Sequence, residues 1–161
     1  MDLEFIRDVF KFSARVSALI YNDNQSKILL FNVKGRSYYA LPGGKILELE
    51  ESLNAIKREI KEELGWDNLE FSFFALSEEF VNDKGYNNHQ LNIIYKAIYK
   101  NPINEIKFKG LEGEWINFEW VDIDKIEQYN IFPKGIKAVI LNKNPSNHFV
   151  DNLIAKSNLN E

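Results

Sequence analysis

Residues 44–66 read GKILELEESLNAIKREIKEELGW, and the spacing of their apolar and acidic positions decides the fold. Leu53, Ile56, Ile60 and Leu64 recur at steps of three and four, which puts apolar side chains on one face of an α-helix. The pattern runs over residues 51–64 and stops at Gly65, a residue type that readily ends a helix. Glu59, Glu62 and Glu63 fall on a neighbouring face, within roughly 100° of arc at about 100° per residue. One side of this helix can pack on a sheet while the next presents three carboxylates to a cleft.

Outward from the helix, the chain reads mainly as strands. Residues 15–21 (RVSALIY) and 27–33 (KILLFNV) are rich in β-branched and apolar side chains. They are separated by Asn22-Asp23-Asn24-Gln25, so a hairpin is expected. Residues 38–41 form a short strand ended by Pro42-Gly43-Gly44, a loop signal. Longer strands are expected at 69–80 and 91–99, with polar residues 82–89 between them, and another at 115–121. Residues 122–128 predict a short helix, and residues 133–141 a second, with Pro133 in its tolerated first turn. Phe71, Phe73, Phe74, Trp115 and Trp120 read as core. The interspersed helices indicate one α/β or α+β domain, with residues 13–143 as its core and a polar, partly flexible tail.

Composition narrows the chemistry. The 161 residues include no cysteine and only two histidines, His89 and His148. Disulfides, thiolate nucleophiles and thiolate zinc sites are excluded, and hard oxygen ligands, which favour magnesium or manganese, remain. A formal net charge of −4 argues against a broad basic surface for duplex nucleic acid. No apolar run approaches the roughly 18 residues of a membrane span. The opening MDLEFIRDVF lacks the basic-then-apolar order of a secretory leader, so a cytoplasmic protein is expected.

A helix rich in Lys and Glu is most often a solvated face. Here the order of residues argues otherwise, because clustered carboxylates repel one another unless cations bind between them. A divalent cation would neutralise a diphosphate, polarise its phosphorus and lower the pKa of a bound water. Arg58 can pair with Glu62 one turn on or orient another glutamate. The unobstructed backbone at Pro42-Gly43-Gly44 can add a carbonyl to the coordination shell.

The positions Gly44, Glu50, Arg58, Glu59, Ile60, Glu62, Glu63, Gly65 and Trp66 fill every place of the pattern Gly-x5-Glu-x7-Arg-Glu-U-x-Glu-Glu-x-Gly-U, with U bulky and apolar. In this the chain resembles the Nudix (MutT-like) hydrolases over about residues 15–141. The resemblance implies an α/β/α sandwich around a mixed β-sheet, with the box as loop–helix–loop. It also implies metal-dependent hydrolysis, by attack of metal-activated water, of a nucleoside diphosphate linked to another moiety, with Mg2+ or Mn2+. Carried over residue by residue, Glu59, Glu62 and Glu63 are the expected metal ligands, joined by the Gly43 carbonyl. Glu50 and Arg58 are the expected supports. In the loop before Glu50, Ile46-Leu47-Glu48-Leu49 stands where relatives often carry Pro or Gly.

A later-loop glutamate is a candidate base: Glu112, Glu114 and Glu119 lie in the region, and Glu114 is the first choice. Arg36, Gly44, Tyr39 (or Tyr38) and His89 are candidate contacts to a small nucleotide-type substrate. The bland readings beside them are a surface arginine, a core tyrosine and a structural histidine. Members of the family are often homodimers. A nucleotide sensor without turnover is the alternative from another class, and RNA decapping or isoprenyl diphosphate isomerisation are others. The retained glutamates, the acidic charge and the missing cysteine count against these in turn.

Overall fold

The computed structural model describes residues 1–154. In chain order the elements are β1 (Glu4–Arg7), β2 (Phe10–Asn22), β3 (Lys27–Val33), β4 (Tyr39–Ala40), β5 (Gly43–Lys45) and α1 (Ser52–Leu64). They continue with β6 (Ser72–Asp83), β7 (Tyr86–Tyr99), β8 (Lys107–Gly110), β9 (Gly113–Asp122), a 3-10 turn (Ile123–Gln128), β10 (Ile131–Phe132), α2 (Ile136–Ile140) and β11 (His148–Asn152). One mixed sheet runs in the order β10-β4-β3-β2-β7-β6-β11, with β1 and β5 also paired to β2 and β9 to β3. The long β2 is its spine, parallel to β7 along its whole length.

The two faces of β2 bury different sets of side chains, as the period of two along a strand requires. Ala14, Val16, Ala18 and Ile20 point to the α1 side, where they join Ala55, Ile56, Ile60 and Leu64. Leu19 and Tyr21 point to the other side, with Ile126 of the 3-10 turn and Ile136 and Val139 of α2. Helical elements therefore cover both faces of a mixed sheet, the α/β/α sandwich expected. The stripe on α1 is confirmed: Ile56 and Ile60 are fully buried. The helix ends at Gly65 in the left-handed conformation, its N–H donating to the Lys61 carbonyl at 2.9 Å.

Several elements differ from expectation. The turn at residues 22–26 joins β2 and β3, but the two strands share one paired position, Tyr21 with Ile28. Beyond it β3 turns to β9 and β2 takes β5 as its neighbour. Residues 82–89 do not separate two strands; they close a tight hairpin at Lys84-Gly85, both with positive φ. α2 begins at Ile136, not Pro133. The short strands β1, β8 and β11 were not foreseen. β11 lies within the expected tail and pairs in parallel with β6, so that part is ordered as a strand; residues 155–161 of the tail lie outside the described residues. Trp120 is core, but Phe73 and Trp115 are exposed on the surface.

Candidate active site on the α1 loop

The loop ahead of α1 is held by backbone bonds to β2. The Ala18 N–H donates to the Pro42 carbonyl at 2.8 Å, and the Ile46 N–H to the Ala14 carbonyl at 3.0 Å. Between them Gly43 has φ +143°, and a Cβ there would stand 2.2 Å from the Val16 carbonyl oxygen. Its N–H donates to the Glu63 carboxylate at 3.2 Å. At Gly44 a Cβ would meet the Glu59 carboxyl group at 2.3–2.5 Å. Gly43 is needed because a backbone carbonyl occupies the space a side chain would take, whereas a side chain at Gly44 would displace the Glu59 carboxylate. Leu49 occupies a left-handed conformation, φ +62°, with its side chain fully in solvent.

Arg58 organises the carboxylates around it. Its Nε and Nη2 donate to both oxygens of Glu50, at 2.8 and 2.9 Å, and Nη2 also to the Lys45 carbonyl at 3.1 Å. Its Nη1 donates to Glu59 at 2.6 Å and to Glu62 at 3.3 Å. Glu50 in turn accepts from the Leu47 N–H at 2.9 Å, which closes the loop. This fork geometry suits guanidinium and would not survive replacement by an ammonium group.

The electrostatics are lopsided. Burial pushes the Glu63 carboxyl up to about 8, and the negative charges of Glu59 and Glu112 add to it; Arg15 and the Gly43 N–H pull the other way. Glu59 is also raised, chiefly by burial, against the pull of Arg58. Glu50 is lowered, first by its bond to Arg58. The one arginine of the box thus stabilises Glu50 most, and Glu63 is left short of positive charge. A buried carboxylate among other carboxylates is a setting a divalent cation relieves, and an all-oxygen donor set suits magnesium or manganese. Among the described residues no three His, Asp or Glu side chains already converge as a metal cage. Glu59 is turned to Arg58, and Glu62 is half exposed.

The three later glutamates occupy different places. Glu112 sits at the β8–β9 turn, which docks on the last turn of α1 through the Leu111 N–H and the Glu63 carbonyl, 2.9 Å apart. Its charge acts on both Glu59 and Glu63. Glu114, on the same hairpin, is exposed, and its carbonyl accepts from the Lys109 ammonium at 2.9 Å. Glu119 accepts from the hydroxyls of Tyr39 and Tyr129, at 3.2 Å each. Tyr39 also packs edge-on against Tyr129. Arg36 lies in the β3–β4 loop with its guanidinium on the Tyr38 hydroxyl. His89 lies between the rings of Phe12 and Phe80, on the opposite face of β7 from its neighbours Asn88 and Gln90. The structure thus brings Gly43, Gly44, Glu50, Arg58, Glu59, Glu62 and Glu63 together and leaves Arg36 and His89 apart from them.

Residues not singled out from the sequence also stand beside the box. Arg15 on β2 draws down both Glu63 and Glu79 by its charge. Around it lie buried Ser13, Ser17, Ser77, Glu79, Asn88 and Asn92. Burial raises Glu79, while bonds from Ser77, Gln90 and Asn92 and the charge of Arg15 oppose the rise. The alternation Ser13-x-Arg15-x-Ser17 and Asn88-x-Gln90-x-Asn92 is the signal that would have found them. Two hollows elsewhere, about 280 and 330 Å³, are lined by residues from 64–72 and 96–120 and carry none of the box glutamates.

The model of the NUDIX domain matches residues 11–140, and the chain belongs to that family. It is 30% identical over 129 residues to the m7GpppN-mRNA hydrolase of Saccharomyces cerevisiae, a match covering 78% of this chain and 12% of that protein. The chain thus spans about an eighth of that relative's length. It is 27% identical over 136 residues to the 8-oxo-dGTP diphosphatase of Buchnera aphidicola, covering 81% of this chain and 92% of that one. The Escherichia coli dihydroneopterin triphosphate pyrophosphohydrolase shares the fold, with a TM-score of 0.62 at 16% identity over 84% of this chain and 97% of that chain.

Proposed function

We propose that this chain hydrolyses the phosphoanhydride linkage of a nucleoside diphosphate joined to another moiety, in a reaction that needs Mg2+ or Mn2+. The observation that carries the reading is the folded state of the complete box. Glu59 and Glu63 are held over Gly44 and Gly43, and Arg58 is locked on Glu50.

Glu59, Glu62, Glu63 and the Gly43 carbonyl would hold the cation. A bound divalent ion supplies charge neutralisation and Lewis acidity to a diphosphate. The chain's own residues do the rest. Arg58 fixes Glu59 from one side and Glu50 from the other, so the loop and the helix keep one relation. Burial favours the protonated form of Glu63 near neutral pH, and a cation held there would take the place of that proton. Glu112 is our choice for the later-loop carboxylate that accepts a proton from the attacking water, because its charge reaches both Glu59 and Glu63. Glu114, the choice from sequence, is exposed like Glu112 but is not among the charges that chiefly act on Glu59 and Glu63, and it serves as the comparison.

The test is phosphate or pyrophosphate release from nucleoside triphosphates, ADP-ribose, nucleotide sugars and dinucleoside polyphosphates, with magnesium and with manganese. The similarity to the yeast decapping hydrolase adds a capped RNA to that panel. Metal-dependent turnover that Glu62→Gln abolishes is expected. Glu112→Gln should lower kcat about 100-fold, within the range for loss of a general base, and Glu114→Gln less than 3-fold. Tight binding of one nucleotide with no turnover by the wild-type chain would overturn the reading in favour of a sensor.

A further inference from the structure

The face of the sheet opposite α1 changes character along its length. On β2 it runs Ser13, Arg15, Ser17 and then Leu19, Tyr21; on β7, Asn88, Gln90, Asn92 and then Ile94; on β6, Glu79, Ser77 and then Ala75. Leu19, Tyr21, Ile94 and Ala75 belong to the core under α2. The register sets Ser13 beside Gln90 and Gln90 beside Glu79, and sets Arg15 beside Asn92 and Asn92 beside Ser77. Two polar rows thus cross three neighbouring strands where a packed sheet face would be apolar.

Most of their groups are paired among themselves. Ser77 Oγ donates to Glu79 at 2.9 Å and Gln90 Nε2 to the same carboxylate at 3.3 Å. Ser13 Oγ bonds to Asn88 at 3.2 Å and to Gln90 at 3.3 Å. Two atoms are not paired. Arg15 Nε and Asn92 Oδ1 are buried without a hydrogen-bond partner, and Asn92 is only 2% exposed. They lie at the same register on adjacent strands. Leaving a buried polar group unpaired costs about 1–3 kcal/mol, so such a pair requires an explanation, and a ligand supplies one.

The position of the rows says which half of a substrate meets them. β5, with the Gly43 that holds Glu63, lies on the other side of β2 from β7 and β6. Three strand spacings of about 4.8 Å separate β5 from β6. Arg15 acts on carboxylates at both ends, Glu63 and Glu79. A diphosphate at the box therefore directs its organic moiety along the rows toward Glu79.

The chemistry of the rows says which moiety. The Glu79 carboxylate and the unpaired Asn92 Oδ1 can each accept an N–H group, and the unpaired Arg15 Nε can donate to a carbonyl beside them. A 2-amino-4-oxopyrimidine edge, the one shared by guanine and pterins, offers that set: one acceptor beside two donors. Adenine offers one donor beside an acceptor, cytosine one donor beside two acceptors, and uracil acceptors flanking one donor. Each of these turns a lone pair toward the carboxylate. We propose that Glu79 of one row and Asn92 and Arg15 of the other form a recognition patch that selects substrates carrying a 2-amino-4-oxopyrimidine edge. The inference rests on the diphosphate-hydrolase reading above.

The test compares kcat/KM for GTP, ITP, ATP and dihydroneopterin triphosphate in the wild-type chain and in Glu79→Gln. ITP keeps the purine and lacks only the 2-amino group. The wild type should prefer GTP over ITP by about 10- to 100-fold, the worth of one hydrogen bond to a charged group, and over ATP by more. Glu79→Gln should bring the GTP-to-ITP ratio to within about 3-fold of unity. The ratio of GTP to dihydroneopterin triphosphate decides between a purine and a pterin source. Equal turnover of ATP and GTP by the wild type, or an unchanged GTP-to-ITP ratio in Glu79→Gln, overturns the proposal while the hydrolase reading stands. No turnover, with a melting temperature raised by GTP and not by ITP, does the reverse. If Glu79→Gln does not fold, the wild-type ratios decide, and Asn92→Ser serves as the second variant: it should lower the preference for GTP over ATP, whose ring nitrogen carries no N–H for Asn92 to accept, and an unchanged GTP-to-ATP ratio overturns the proposal.

Discussion

Glu63→Gln should make the metal-free protein more stable, by an amount that grows with pH. In the folded chain the Glu63 carboxyl is pushed up to about 8 from an ordinary value of 4.5. A carboxyl raised by folding binds its proton more tightly in the native than in the unfolded state, so its contribution to stability falls as pH rises. The penalty is absent below about pH 4.5, grows through neutrality and levels off above about pH 8. At pH 7 it spans two and a half pH units at about 1.4 kcal/mol each, a ceiling of about 3.5 kcal/mol. Glutamine keeps an oxygen for the Gly43 N–H and carries no charge to desolvate, but its new amide group needs a partner of its own. A gain of about 1–3 kcal/mol at pH 7 is therefore expected, or about 3–10 °C for a chain of this size. The assay is thermal unfolding in the presence of a chelator at pH 5, 6, 7 and 8, read as the difference between mutant and wild type. Glu59 and Glu79 are raised as well, so the wild-type curve alone does not isolate Glu63, and the difference does. A difference that is flat across pH, or that favours the wild type at pH 8, refutes the reasoning.

Other positions give independent tests. Gly44→Ala places a Cβ 2.3 Å from the Glu59 carboxylate; Mn2+ affinity by calorimetry should fall about 10-fold or more, since displacing one ligand's support has that effect. Arg58→Ala leaves the partly exposed Glu50 without its cation and should cost about 1–3 kcal/mol in chemical denaturation. Arg58→Lys should recover less than half of that, because an ammonium group cannot grip both Glu50 oxygens and the Lys45 carbonyl. Leu49→Gly should raise stability by about 1 kcal/mol, measured by thermal melting, because the left-handed backbone penalises leucine and its fully exposed side chain packs on nothing.

The parts of the fold visible in the sequence were those written in local periodicity. α1 was readable because Leu53, Ile56, Ile60 and Leu64 keep one face, and Gly65 supplies the left-handed stop. The turn after Asn22 was readable too, but not the divergence of β2 from β3, since pairing partners far along the chain leave no local mark. β11 was missed for the same reason. Its polar residues His148, Asp151 and Asn152 resemble a tail, and only Phe149 docks in the core. Its register on β6 and the Asp151 bonds to the Gly135 N–H, at 3.1 and 3.2 Å, are tertiary facts.

The same division separates the two halves of the site. The carboxylates of the box lie within one helix and the loop before it, so fixed helical geometry turns their spacing in sequence into a spacing in space. The patch of Arg15, Asn92 and Glu79 is assembled across three strands and two register rows, from positions that no local period links. Their polarity even obscured the strands that carry them: residues 82–89 read as a polar connection because Asn87, Asn88 and His89 do not look like strand interior. They are strand because one face of β7 is built to be polar, while Ile93 and Tyr95 pack on the α1 side of the same strand. Where a hydrophobic pattern fails on a strand that the backbone nevertheless buries, the failure itself points to function. By that reasoning the catalytic half of this site follows from one stretch of sequence. The selectivity we propose rests on pairings that only the folded sheet brings together, so substitutions on β6 and β7 should change substrate preference while those on α1 change the rate.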